Sequence, residues 1–85
     1  MNKIIVATNP VGPFQKVFAV SEDGVLAQIG VGIEDLPETI HAFATKYSIC
    51  DVEFTGAREY ALGLMRDAQN NTQFSTGLKF KYYGG

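Results

Sequence analysis

Residues 51–69 constrain the fold more than any other stretch, because they predict a short strand, a Thr-Gly turn and an amphipathic helix in succession. Apolar residues recur in the helix at i, i+3, i+4, i+7, i+8 and i+11, which is a full apolar stripe. They are Ala57, Tyr60, Ala61, Leu64, Met65 and Ala68. A strand that leads into such a helix needs a parallel strand to return to, and residues 78–83 are the candidate downstream. The second half of the chain is therefore predicted to be a βαβ crossover.

The first half of the chain predicts three strands in an antiparallel meander. Residues 3–8 contain four successive apolar residues, which is typical of a central strand buried on both faces. Residues 14–20 and 25–31 alternate between two faces, and the Ser-Glu-Asp-Gly sequence at 21–24 predicts a tight reversal between them.

A first helix is predicted to follow the meander. Asp35 stands at the N-cap position, Glu38 follows at capping-box spacing, and Pro37 occupies the first turn. One face of this helix is predicted to be buried, and it consists of Leu36, Ile40, Phe43, Ala44 and Tyr47.

The strand before the Thr-Gly turn is predicted to span residues 49–55. Its alternation places Cys50 on the apolar side, so we expect a core cysteine, while His41 is expected at the surface beside the apolar stripe of the first helix. Residues 69–77 predict a polar loop.

Composition limits the class of protein. With 85 residues, the chain is predicted to be a single domain over residues 1–85. Seven basic and nine acidic residues give a net charge of −2, which argues against the broad positive field of non-specific nucleic-acid binding. A single cysteine excludes an intrachain disulfide, and no signal peptide or long apolar run is present. We therefore expect a soluble cytoplasmic protein that does not interact with membranes.

The element order βββαβαβ predicts an α/β protein with a five-stranded mixed sheet of order 3-2-1-4-5 and two helices. This order, together with the Thr55-Gly56 turn, resembles the ribonuclease H-like fold in the compact form seen in resolvases and pre-ribosomal-RNA processing nucleases. The resemblance covers almost the whole chain.

The resemblance implies catalytic carboxylates on the first strand, on the first helix and at the end of the fourth strand, where they would hold two divalent metal ions. Residues 4–8 contain no acid, and Asp51 lies at the wrong end of the fourth strand. Glu38 is the one acid that matches a family position. One carboxylate does not hold two metal ions, so we predict no metal site, no cofactor and no catalytic residue.

The turn between the fourth strand and the second helix is a candidate anion site. Thr55, Gly56 and Arg58 lie where free amides and the helix dipole could hold an anion. The alternative, which we favour, is that Thr55 and Gly56 only cap the helix.

The last strand is a candidate nucleic-acid site. Lys79, Lys81, Tyr82 and Tyr83 combine bases with aromatic rings that could stack on nucleotides. We favour the alternative of an ordinary edge strand whose lysines prevent aggregation.

Two helices cover about one face of a five-stranded sheet, yet the second and third strands carry apolar residues on both faces. Bare apolar surface of this kind usually marks an interface. We therefore predict a homodimer, or binding to a larger protein partner, through the sheet face or the edge at residues 25–31. The candidate interface residues are Phe14, Phe18, Val25, Ala27, Ile29 and Val31.

The first functional hypothesis is a small non-catalytic ribonuclease H-like binding or assembly module that forms a homodimer. Its size and single domain resemble the accessory proteins of phages or mobile elements. One alternative is a resolvase-like nuclease with displaced acids. A second alternative is an anion- or nucleotide-binding regulator that acts through Thr55, Gly56 and Arg58.

Overall fold

The computed structural model describes residues 2–84, which form one five-stranded mixed sheet of order β3-β2-β1-β4-β5. The strands are Lys3–Ala7 (β1), Gln15–Ser21 (β2), Gly24–Val31 (β3), Asp51–Thr55 (β4) and Lys79–Tyr82 (β5). The helices are Leu36–Tyr47 (α1), Arg58–Asn70 (α2) and Thr72–Ser75 (α3). Strands β1, β2 and β3 pair antiparallel, whereas β4 pairs parallel to β1 and β5 parallel to β4. The predicted α/β class and strand order are confirmed. The predicted parallel pairing of the last strand with the fourth strand is also confirmed.

The hairpin between β2 and β3 contains a β-bulge. Ser21 pairs with Gly24 at the turn, and Val20 pairs with Val25, but Ala19 pairs with Ala27. Leu26 is therefore the extra residue of β3. A bulge bends its strand and increases the local twist, so the outer edge of the sheet is irregular near its start.

Within residues 2–84, the hydrophobic core lies on one face of the sheet. The side chains that β1, β2 and β4 bury there alternate with side chains on the opposite face. The core contains Ile4, Val6, Val17, Ala19, Val52 and Phe54 from the sheet and Leu36, Ile40, Ala44, Ala61 and Ala68 from the helices. Both long helices thus pack against the same face, and we call the opposite one the open face.

The first helix begins differently from the prediction. A 3-10 turn over Ile33–Asp35 leads directly into α1, and Asp35 has φ −99° and ψ 0° without a side-chain capping hydrogen bond. A capping side chain needs extended backbone at the N-cap, so the 3-10 turn prevents the predicted capping box with Glu38 from forming. The predicted buried face of α1 is confirmed.

The segment predicted as a polar loop contains a third helix. Residues Thr72–Ser75 form one helical turn, and the amide of Ser75 donates to the carbonyl of Asn71 at 3.0 Å. The ring of Phe74 lies 5.6 Å from the ring of His41. A single turn is too short to show helical periodicity, which is why the sequence predicted a loop.

Cys50 is exposed, so its predicted place in the core is wrong. Ser48 ends α1 in a left-handed conformation with φ 55°. Ile49, and not Cys50, is then the residue that is buried in the core. Strand β4 then begins at Asp51, one residue after Cys50. The strand predicted over residues 49–55 therefore began two residues before the observed strand.

Candidate functional site

The carboxyl ends of β1 and β4 meet at an uncharged, hydrogen-bonded cluster. The Thr8 hydroxyl donates to the Thr55 carbonyl at 2.7 Å, and the amide of Thr8 donates to the same oxygen at 3.0 Å. Gln15 is buried; its side-chain amide donates to the Asn9 carbonyl at 3.1 Å and its carbonyl accepts from the Asn9 amide. These side chains hold the strand ends together and offer no acid or base.

The acids do not converge anywhere in the described part of the chain. Within residues 2–84, no group of three His, Cys, Asp or Glu residues could hold a metal ion. Glu38, the one acid matched to the ribonuclease H-like pattern, is exposed on the first turn of α1.

The Thr-Gly turn that suggested an anion site at the start of α2 is explained by the packing and backbone conformation of the turn itself. Gly56 has φ +117°, and a Cβ atom there would lie 2.6 Å from the Thr8 carbonyl oxygen, so the turn requires glycine. The hydroxyl of Tyr82 donates to the Gly56 carbonyl at 2.9 Å. A shallow depression of about 400 Å³ next to the turn is lined by Thr55, Gly56, Tyr83 and Gly84. Arg58 is exposed and is not one of the residues that line it. Anion binding here remains a prediction.

The predicted nucleic-acid residues lie on two faces of β5. Lys79 and Lys81 are exposed and point to the open face, whereas Tyr82 points to the helix side and packs against the core. Tyr83 follows the strand and is exposed, with its amide bonded to the Phe54 carbonyl at 2.9 Å. The structure therefore separates Tyr82 from the two lysines that were expected to act with it.

A buried carboxylate with two ion-pair partners lies on the open face and was not predicted. The carboxylate of Glu53 is 3.3 Å from Lys3 Nζ and 3.6 Å from Lys81 Nζ, and its side chain is only 7% exposed. The groove around these residues has a volume of about 490 Å³ and is also lined by Asp51 and Lys79. Lysines from the two neighbouring strands cover Glu53, which the alternation along β4 alone does not indicate.

The predicted interface residues surround the outer edge of the sheet at β3. Phe14, Val25 and Ile29 are exposed, while Phe18, Ala27 and Val31 are half-buried. They lie on both faces, because Ala27, Ile29 and Val31 pair with residues of the core side of β2, and Val25 pairs with Val20 on the open side. The structure adds two large exposed apolar residues near this edge that the prediction omitted, Leu26 and Ile33.

Strand β3 itself carries no charge. Its sequence is GVLAQIGV, five of its eight residues are apolar, and most of them are exposed. Within residues 2–84 it pairs with β2 alone, so the backbone groups of its outer edge have no strand partner. The other edge strand, β5, has Lys79 and Lys81.

Charge is divided between the two sides of the sheet. Four of the seven basic residues are on the open face, together with two carboxylates. They are Lys3, Lys16, Lys79 and Lys81, with Asp51 and Glu53. The helical elements on the opposite side contain five acids and three bases. The open face is therefore the basic side of an acidic molecule.

No family model and no curated protein matches the sequence. Among solved structures, the crystal structure of Archaeoglobus fulgidus Pelota, described for its inter-domain structural plasticity, is similar with a TM-score of 0.56 and 6% sequence identity. The match covers 99% of this chain and 27% of the Pelota chain, so this chain spans about a quarter of that protein. At this identity, the likeness shows a shared fold alone. Within residues 2–84, no helix is long and apolar enough to cross a membrane.

Proposed function

We propose that the protein is a small non-catalytic binding module that forms a homodimer through the outer edge of β3. The observation that carries this proposal is an eight-residue edge strand without a charged residue and with exposed apolar side chains. An exposed edge of this kind is a template for pairing with another strand, and native proteins usually block it with charge. Strand β5 is blocked in this way by its two lysines, whereas β3 carries no charge and has only the bulge at Leu26 near its start.

A second copy of the chain fits this edge by symmetry. Two β3 strands that pair antiparallel about a two-fold axis would place the same residues on both sides of the contact and would join the sheets into one of ten strands. Eight residues span about 27 Å in a strand, which compares with a longest molecular dimension of 29 Å. The strand as a whole is thus almost as long as the molecule, and its regular edge past the bulge at Leu26 consists of residues 27–31.

The edge is a better dimer contact than the open face. A standard interface buries about 800 Å² on each partner, and the whole surface of this chain is 5170 Å². A stable dimer contact must therefore occupy a substantial share of the surface of the chain. Apolar side chains on both faces of β3 would add to the backbone pairing. Two open faces, each with four lysines and two carboxylates, would instead repel each other.

The non-catalytic part of the proposal is supported by the carboxyl ends of β1 and β4. There, Thr8 bonds to the Thr55 carbonyl and Gln15 bonds to the Asn9 backbone, and all of these groups are uncharged. We propose a cytoplasmic location, because a chain with a single cysteine does not depend on an intrachain disulfide, as is usual for proteins of a reducing compartment.

Sedimentation velocity tests the dimer with a matched pair of variants. We expect the wild-type chain to dimerise between about 5 and about 200 µM. Val25→Lys should shift the chain to monomer, because Val25 is 58% exposed on β3. Tyr83→Lys should not, because Tyr83 is 59% exposed but follows the opposite edge strand. Ile29→Lys, on the other face of β3, serves as the second test variant.

Two results would overturn the dimer. One is a wild-type chain that stays monomeric at the highest concentration. The other is a Tyr83→Lys variant that loses self-association as completely as Val25→Lys and Ile29→Lys do, while all three remain folded by circular dichroism.

A further inference from the structure

The space between α1 and α2 is filled at one end and open at the other. Both helices pack on the core side of the sheet, and the α3 turn contacts both of them. The ring of Phe74 in α3 lies against His41, one helical turn after Pro37 of α1. Nearer the start of α1, the space opens to the surface as a groove of about 300 Å³. We call it the interhelix groove, and its lining residues are Ile33, Glu34, Leu36, Pro37, Leu64 and Asp67.

The floor of the interhelix groove is apolar. Leu36 is 1% exposed and belongs to the core, while Leu64 is half-buried against the same core. Ile33, at the side of the groove, is 49% exposed, so a large aliphatic side chain is left in contact with water there. An apolar side chain from a partner would gain free energy by covering Ile33 and reaching Leu64.

Two carboxylates stand on opposite walls of the interhelix groove, and the chain does not neutralise them. Glu34 lies in the 3-10 turn before α1, and Asp67 lies one turn after Leu64 on the same face of α2. Both are exposed, and within residues 2–84 neither has an ion-pair partner. Arg66 precedes Asp67, but successive helical residues do not face each other. The groove therefore combines an apolar floor with two carboxylates that are available to a cation.

We propose that the interhelix groove binds a segment of a partner protein in which one large apolar side chain is flanked by arginines. The apolar side chain covers Ile33 and Leu64, and guanidinium groups on its two sides pair with Glu34 and Asp67. A planar guanidinium suits this role because it meets a carboxylate with two parallel hydrogen bonds. This inference rests on the binding role proposed above, but not on the dimer.

Charge and size select against other classes of partner. Residues 33–38 contain three acids and no base, so the phosphates of nucleic acids and of anionic lipids are repelled. A volume of about 300 Å³ is at the lower limit of ligand pockets, which enclose most of the surface of a small molecule. The exposed Glu34 and Asp67 do not enclose a ligand in this way. A peptide, in contrast, can add contacts outside the groove.

Three labelled peptides test the proposal. The probe is a fluorescein-labelled peptide of about nine residues, at most about 30 Å long when extended, with a central leucine and arginines on both sides. Serine replaces the leucine in the second peptide, and glutamate replaces every arginine in the third. Fluorescence anisotropy should show saturable binding of the probe below about 0.5 mM. The serine peptide should bind at least about fivefold more weakly, and the glutamate peptide should not bind.

Two aspartate variants supply the matched control. Asp67→Lys should weaken binding of the probe by about fivefold or more, because Asp67 lines the groove. Asp23→Lys makes the same change of charge in the turn before β3, whereas the groove follows the end of that strand. The eight residues of β3 separate the two places by about 27 Å, so this variant should change binding by less than about twofold.

A third variant tests the apolar floor. Ile33→Ala should weaken the probe by about threefold or more and leave the serine peptide unchanged, because only the leucine contacts Ile33. All variants are first shown to be folded by circular dichroism. A loss of the same size for both peptides would show that the leucine does not occupy the groove.

Several other results would overturn the proposal. They are no binding of the probe at about 1 mM, equal binding of the leucine and serine peptides, or equal effects of Asp67→Lys and Asp23→Lys. Self-association that Asp67→Lys abolishes would assign the groove to a second copy of the chain instead.

The dimer and the interhelix groove can fail separately. Val25→Lys, which should be monomeric, should bind the probe as tightly as the wild type, because Val25 lies at the start of β3 and pairs with Val20 on the open side. A wild-type chain that is monomeric and binds the probe would contradict the dimer alone. A dimer that does not bind the probe would contradict the groove alone.

Discussion

Gly56 lies so close to Thr8 that a Cβ atom on Gly56 would be 2.2 Å from the Thr8 hydroxyl oxygen. The glycine also has φ +117°, which side chains rarely adopt. This contact brings the start of the second helix against the end of the first strand. It is the reason for the Thr-Gly turn that the sequence suggested as an anion site.

Gly56→Ala is expected to destabilise the fold by at least about 2 kcal/mol, because both the backbone conformation and the contact with Thr8 oppose a methyl group. Gly63→Ala is the control, since a Cβ there meets no atom within 4 Å and the residue lies inside α2. It should stabilise the protein by up to about 1 kcal/mol. Urea unfolding measures both changes, and equal effects of the two substitutions would contradict the role given to Gly56.

Two isoleucines on the helix side test where the core lies. Ile40 is 1% exposed, whereas Ile33 is 49% exposed in the 3-10 turn before the same helix. Ile40→Ala should lower the free energy of unfolding by about 2 to 5 kcal/mol, and Ile33→Ala by well under about 1 kcal/mol. The measurement is made at a concentration where the chain is monomeric, so that the edge contact does not contribute. A comparable loss at both positions would show that the helix packs differently.

The ion pair of Glu53 with Lys81 is expected to stabilise the sheet only modestly, because Lys81 is largely exposed to solvent. A double-mutant cycle of Glu53→Gln and Lys81→Met should give a coupling of about 0.5 to 1 kcal/mol that decreases in high salt. Asp51→Asn with Lys81→Met is the control cycle, since Asp51 is a neighbouring carboxylate on the same face. If the coupling energy of Lys81 with Asp51 equals that with Glu53, the stabilisation arises from the overall charge of the open face and not from the contact between Glu53 and Lys81.

The alternation of apolar and polar residues within each strand, together with the order of strands and helices along the chain, was sufficient to predict the sheet. The successive apolar residues of β1, the alternation of β2 and β3, and the strand-turn-helix unit together required a meander followed by one parallel return. Helical periodicity likewise identified the buried faces of α1 and α2, except that Ala57, predicted in the stripe of α2, is exposed at its N-cap. These features repeat over several residues, so the pattern is visible without knowledge of tertiary contacts.

The features that the sequence did not predict depend on contacts between distant residues or on short irregular segments. Burial of Glu53 requires Lys3 and Lys81 on its two neighbouring strands. Exposure of Cys50 depends on the residue at which β4 starts, and the bulge at Leu26 depends on its pairing with β2. Gln15 lies on the buried side of β2, and its hydrogen bonds to Asn9 follow only from the path of the loop between β1 and β2.

The dimer edge is tested most directly by amide hydrogen exchange measured residue by residue at two protein concentrations. In the monomer, the outward-facing amides of β3 and of β5 should both exchange quickly, since each strand lies at an edge of the sheet. We predict that raising the concentration from about 5 to about 200 µM slows exchange in Gly24–Val31 and leaves Lys79–Tyr82 unchanged. Protection that stays constant in β3, or that increases in β5 instead, would contradict the proposal that β3 is the site of self-association.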